Sequence, residues 1–230
     1  MLIFNAHPDD AEFAMGGVLL KLAREHDVVN VILTRGEAGT HGTPAERERE
    51  AHEAGRRGGY RVRILDYKDT QIEDTTSTVQ DIARIIREEK PRLIFAPYHT
   101  NNRSHLDGRA HPDHTALGNI VRKAARIAKF TNAPIKGDAH QTDGIIYYML
   151  PIHTKPSFTI DVSDVIDELP NLWKAHASQT KLRDGAIIDH LLNWRRQMGS
   201  ESRLAYAESF ITEETPVLST SAIPNMFRRG

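Results

Sequence analysis

Cysteine is absent from the 230 residues, which excludes disulfides and thiolate ligands, so any zinc bound here must be held by imidazole and carboxylate. No run approaches the roughly 20 apolar residues of a membrane span, and the chain opens on LIFNAH without the basic start and long apolar stretch of a secretory leader. The expectation is a cytoplasmic protein with no membrane partner. An excess of either charge is also missing, with 30 Lys and Arg against 31 Asp and Glu. Without a basic run, no footprint for nucleic acid exists, and selectivity must come from a local site. Low-complexity tracts and repeats at solenoid spacing are lacking too. The length fits one α/β domain over 1–230, with a weakly structured tail from about 212.

What is present is an alternation. LIFNA, VVNVILT, VRILDY and RLIFAPY are short apolar, β-branched or aromatic runs bounded by polar segments, and read as buried strands. Between them, Phe13 to Glu25, Ala45 to Arg57 and Thr78 to Glu89 have helical character, the last placing Val79, Ile82, Ile85 and Ile86 on one face. This pattern predicts a Rossmann-like, mostly parallel sheet with helices on both faces and loops gathered at the strand C-termini. Further on, Pro112 to Lys129 reads as a helix, IIYYML and SFTIDVS as strands, and Asp164 to Ser178 as a helix capped by Ser163. Leu182 to Met198 is expected to form a further helix ended near Gly199.

The chemistry concentrates in two places. The first strand runs into His7-Pro8-Asp9-Asp10, and the unit recurs as His111-Pro112-Asp113-His114. Proline disfavours the α conformation in the residue before it and suits a first helical turn, so His111 is expected to be extended and His114 to lie at a helix start. Either tripeptide alone reads better as a turn with a capping Asp and an exposed or hydrogen-bonded His. Together, at the ends of parallel strands and with an extra His, they point to a metal site. A hydrolytic zinc has three protein ligands and an open position, and His7, Asp10 and His114 meet that count. Fe(II) fits a His₂Asp set as well. Asp9 is then the candidate base, His111 a protonated imidazole that stabilises developing negative charge before donating its proton, and Asp113 its orienting partner.

At these residues the chain resembles the LmbE-like or PIG-L-like zinc-dependent N-deacetylases. AHPDDAEFAMGG is similar to the first signature of that family, HPDH to its second, and LTRGEAGTHGTPAERERE to the segment between its second strand and the following helix. The resemblance implies zinc on His7, Asp10 and His114, Asp9 as general base, His111 as oxyanion stabiliser or proton donor with Asp113 orienting it, and an N-acetylated amino-sugar conjugate as substrate. It also implies that Arg47, or its neighbour Arg49, faces the substrate. YYMLPIHTKPSFTIDVSD and YAESF resemble the branch that deacetylates N-acetylglucosaminyl malate in bacillithiol biosynthesis. That branch implies a homo-oligomer, commonly a hexamer.

Other residues stay open. His99, His105, Asp107 and Arg109 either line the pocket or belong to a polar surface loop, and His153 either touches a polar substrate or sits in a turn. Trp173 and Trp194 read as packing residues. Gly16 and Gly17 do not form a G-x-G-x-x-G cradle. The competing functions are a metal-dependent phosphoesterase, which often uses two metals, and a non-catalytic zinc- or sugar-binding module.

Overall fold

Helix start signals and apolar stripes account for most element boundaries. The computed structural model describes residues 1–101, 111–151 and 154–217, the side chains of 183 and 184 excepted. Its first half alternates β1 (Leu2–Asn5), α1 (Asp10–Glu25), β2 (Val29–Ile32), α2 (Pro44–Gly58), β3 (Arg61–Ile64), α3 (Thr76–Glu89), β4 (Leu93–Pro97) and α4 (Pro112–Ala128). Thr43 opens α2 with a capping box: its hydroxyl accepts the Glu46 amide while Glu46 accepts the Thr43 amide, and Pro44 supplies the preset first turn. Thr75 caps α3 in the simpler way. The expected stripe of Val79, Ile82, Ile85 and Ile86 is buried.

The second half contributes β5 (Gly144–Tyr148), β6 (Phe158–Asp161), α5 (Leu169–Trp173), α6 (Ile187–Glu201) and β7 (Ala207–Thr212). All seven strands form one sheet in the order β3-β2-β1-β4-β5-β7-β6. β1 to β5 are parallel, whereas β7 runs antiparallel to both β5 and β6. The mostly parallel α/β sheet expected from the alternation is therefore present, with helices on both faces. Leu2 and Phe4 face a core built with α3 and α4, while Ile3 faces one built with α1, α5 and α6, as strand alternation requires. Strand order reverses between β1 and β4, and the crevice outside their C-terminal ends is where such folds place ligands. Among the described residues no helix is long and apolar enough to cross a membrane.

Two helix expectations are corrected, and one strand is added. The single helix over Asp164 to Ser178 is a 3₁₀ segment, Ser163–Glu168, followed by the short α5. Pro170 has no amide to continue a helix from the preceding turn, and the Ser163 hydroxyl bonds to the backbone of Tyr206 instead of capping. The helix expected from Leu182 is likewise split: 3₁₀ residues Gln179–Gly185 precede α6, with Gly185 at φ +86°, and α6 runs past Gly199 to Glu201. Strand β7, Ala207–Thr212, has no counterpart in the sequence reading. Residues 213–217 carry no regular element.

β7 and α6 grip the helix that starts at the first motif. α1 departs from helical geometry at Met15 (φ −139°, ψ 30°), leaving the amides of Gly17 and Val18 to begin a second segment. Glu208 of β7 accepts both, at 2.9 and 2.8 Å. Arg195 of α6 pairs with Glu208 at 2.7 Å and donates to the Phe13 carbonyl at 3.0 Å. The pair is fully buried, so losing one partner would strand a charge at a cost of about 3–5 kcal/mol.

Candidate metal and catalytic centre

The strand-to-helix turn after β1 gathers its ionisable groups by local geometry. Asp10, the first residue of α1, accepts the backbone amides of Ala6 and His7 on Oδ2, at 3.0 and 2.9 Å. This turns the strand end back over the helix start and aims Oδ1 at His114 Nε2, 3.1 Å away. His114 comes from the first turn of α4 and His7 from the end of β1, and their Nε2 and Nδ1 atoms meet at 3.3 Å. His7 Nδ1 also stands 3.6 Å from Oδ2, the other oxygen of the Asp10 carboxylate, and one ligand atom from each of the three residues lies within 4.8 Å of the others. Ligands at about 2.0–2.1 Å on a tetrahedral ion stand about 3.3 Å apart. All three residues are buried, and two facing imidazole nitrogens beside one carboxylate suit a Zn(II) or Fe(II) ion. Gly118 lets α4 approach this closely, since a Cβ there would run into the Pro97 carbonyl and the His99 backbone.

The rest of the expected set lies around this triangle. Asp9 is held at φ +109°, an unusual backbone for a non-glycine residue, and although it stands at the N-cap of α1 its side chain makes no capping bond. Its carboxylate lies 3.4 Å from Arg47 Nη2. Burial pushes the Asp9 pKa up, Arg47 opposes this and Asp10 adds to it, and the result is about 6. Arg47 is buried and donates to the carbonyls of Gly36 and Pro8, each at 2.8 Å, while Arg49 is exposed. The structure thus turns Arg47 toward the site. Gly36, at φ +64°, makes room for its guanidinium, where a Cβ would clash.

His111 caps α4: its Nδ1 accepts the Asp113 amide at 3.3 Å. That bond leaves the proton of the neutral ring on Nε2. Burial and the neighbouring His7 and His114 push its pKa down, which disfavours the protonated form expected from the sequence and leaves a neutral donor. Its ring packs edge-on against His7 at 4.7 Å. Asp113 thus contacts His111 through its backbone amide. Its carboxylate accepts the amides of Thr70 and Ile72, at 2.8 and 3.4 Å, and lies 3.4 Å from His7 Nε2.

Asp69 is a site residue that motif reading missed. It follows β3 on the same rim and takes the His7 Nε2 hydrogen bond at 3.0 Å, with the Ala38 amide on its other oxygen. Burial would raise its pKa, but the His7 hydrogen bond and charge bring it down to about 2. Its position after a parallel strand was the available signal. His7 therefore offers Nδ1 to the triangle and Nε2 to two carboxylates, the arrangement that fixes tautomer and ring orientation in metal-ligating histidines. Burial disfavours its charge, yet Asp10, Asp113 and Asp69 drive its pKa up to about 12. Of the open residues, His99 bonds Glu213 at 3.0 Å, whereas His105, Asp107, Arg109 and His153 lie outside the described residues. Trp173 is fully buried, as a packing residue should be.

Comparison with known proteins extends the reading beyond the site. The chain is 30% identical over 193 residues to the diacetylchitobiose deacetylase of Thermococcus kodakarensis, covering 78% of this chain and 69% of that one. It is 27% identical over 198 residues to the probable N-acetyl-alpha-D-glucosaminyl L-malate deacetylase 2 of Bacillus cereus, covering 79% and 84%. The crystal structure of a conserved protein from Thermus thermophilus superimposes with a TM-score of 0.83 at 31% identity, over 96% of each chain. Residues 2–125 match the family described as PIG-L, GlcNAc-PI de-N-acetylase. That match takes in both His-Pro-Asp segments and more than half of the sequence, and the chain belongs to the PIG-L family of de-N-acetylases.

Proposed function

We propose that this protein hydrolyses the N-acetyl group of an N-acetylglucosaminyl conjugate, releasing acetate and a free amine, with zinc as the metal and Fe(II) as the alternative. The observation that carries this is the His7, Asp10 and His114 triangle with a separate carboxylate beside it, that of Asp9, which caps no helix and faces Arg47. A metal ion held by those three side chains would supply Lewis acidity, acidifying water and polarising the amide carbonyl. Asp9, free of capping duty and tuned upward toward neutrality, takes the proton from the attacking water. His111, a neutral Nε2–H donor at the mouth of α4, faces the oxygen on which negative charge develops. Arg47 holds Asp9 and the Pro8 carbonyl in place and presents its guanidinium to the same space. Asp113 and Asp69 keep the His7 ring in register.

For the conjugate, we propose N-acetylglucosaminyl malate. The YYMLPIHTKPSFTIDVSD and YAESF resemblance and the malate deacetylase relative support it, and the diacetylchitobiose relative names the competitor. The test is acetate release by zinc-loaded protein from N-acetylglucosaminyl malate, N,N'-diacetylchitobiose, an N-acetylglucosaminyl inositol and free N-acetylglucosamine. Preference for the malate conjugate supports the full reading. Preference for another conjugate keeps the chemistry and discards the branch, and no acetate from any of them sinks the deacetylase reading. We further propose a homo-oligomer, which sedimentation of the same preparation tests.

A further inference from the structure

Beneath the site lies a buried polar group that the proposed chemistry does not use. His176, which follows α5, is 0% exposed, and neither ring nitrogen has a hydrogen-bond partner among the described residues. Its Nε2 stands 3.7 Å from Glu12 Oε2, itself without a hydrogen bond, and its ring lies edge-on to Phe13 at 5.9 Å. The other Glu12 oxygen is engaged by the Tyr60 hydroxyl and by Asn30 at 3.2 Å, and the Glu12 carbonyl by Trp173 Nε1 at 2.7 Å. Burial would lower the His176 pKa, but Glu12, then Asp9 and Glu50, raise it overall. The ring and the carboxylate oxygen thus face each other at 3.7 Å with no other hydrogen-bond partner among the described residues.

The location gives this pair its meaning. The first turn of α1 carries Asp9, Asp10 and Glu12, yet it is bounded by the left-handed Asp9 on one side and the break at Met15 on the other. It lacks both a side-chain cap and a continuous helix to hold it. We propose that His176 is a positioning residue for the reaction at this site, which fixes the first turn of α1 by clamping Glu12 and so sets where Asp9 and Asp10 point. The clamp comes from the second half of the chain, as do Trp173 on the Glu12 carbonyl and Arg195 on that of Phe13.

This inference rests on the deacetylase reading, and its test separates the two. His176→Phe, His176→Gln, Glu12→Gln and the His176→Gln/Glu12→Gln double variant are compared with the unaltered protein for kcat, KM, Tm and the ligand-field spectrum of bound Co(II). Misplacing a reacting group by about 1 Å costs about 10²-fold. His176→Phe is expected to lower kcat about 10- to 100-fold with KM nearly unchanged and to shift the Co(II) bands. His176→Gln, which can still donate to Glu12, recovers much of both, and the double variant is no worse than the poorer single one. The proposal is overturned if folded His176→Phe keeps kcat within about twofold, if kcat falls only as Tm falls, or if the two glutamine effects multiply. If the unaltered protein deacetylates nothing, the functional reading fails by itself and the Co(II) spectra decide, bands unmoved in every variant overturning the clamp.

Discussion

The two His-Pro-Asp segments are the same tripeptide on two different backbones. In the second, the helix begins at Pro112, so His111 becomes the cap, Asp113 is drawn into the first turn and His114 points into the crevice. In the first, the helix begins two positions later, at Asp10. His7 there belongs to the strand end and points into the crevice, while Asp9 is left at φ +109° with a carboxylate that caps no helix and faces Arg47. His111 is a cap and Asp113 a scaffold for backbone amides, whereas the proposed function gives their counterparts different jobs, His7 as a ligand and Asp9 as the base. Function here follows the register of the helix start, not the identity of the motif.

Exchanging one side chain at a time should break the comparison unequally. Asp9→Asn leaves the metal triangle intact and should lower kcat about 10²- to 10⁴-fold with metal content unchanged. Near-normal turnover in the metal-loaded variant would remove Asp9 as base. For the histidines the prediction is a crossover: His114→Ala loses metal, whereas His111→Ala keeps it and loses turnover, as equilibrium dialysis and acetate release would report. Equal metal loss in both would erase the distinction. Asp113→Asn should cost about 10- to 100-fold in metal affinity or activity, because it weakens the support of His7 without removing a ligand. His7 also sets a pH dependence. Its raised pKa means that the metal must displace a proton from Nδ1, so affinity should rise about tenfold per pH unit through neutrality. Competition titrations at pH 6 and pH 8 that give one affinity would show that His7 carries no such proton.

The part of the site written in the sequence is the part where chain spacing and geometry coincide. Pro8 and Pro112 mark the turns, the strand-helix alternation puts both turns on one rim, and the triangle of His7, Asp10 and His114 follows. Arg47 was separable from Arg49 by period: Ala51, Ala54, Gly55 and Gly58 are the buried face of α2, and Arg47 falls on that stripe whereas Arg49 does not. Asp69 and His176 carry no comparable mark. Each is one polar residue in a polar loop, brought to the site by sheet order in one case and by the packing of α5 in the other. The broken helix near Pro170 and the strand β7 were hidden for a related reason. Glu208 is a buried charge whose partner, Arg195, is supplied by another element, and no local pattern announces such a pair.

The smallest expected effect tests the backbone itself. A non-glycine residue held in the left-handed region costs about 1–3 kcal/mol, and such residues persist where surrounding contacts over-determine them. At Asp9 those contacts are the Arg47 hydrogen bonds and the Asp10 turn. Asp9→Gly removes the strain together with the carboxylate, and also removes a buried charge beside Asp10, while Arg47 loses its 3.4 Å contact with Asp9 but keeps the Gly36 and Pro8 carbonyls. Stability should then rise by about 1 kcal/mol, seen as a Tm higher by about 2–4 °C in a chain of this size, while turnover is lost. Asp113→Gly offers no such relief, because Asp113 is helical and its carboxylate holds the Thr70 and Ile72 amides; its Tm should fall. A protein that becomes more stable and inactive at one Asp, and less stable at its counterpart, would show that the strain in the first segment is maintained for the sake of the Asp9 carboxylate. Equal loss of Tm in both variants would show instead that Asp9 is one more structural cap.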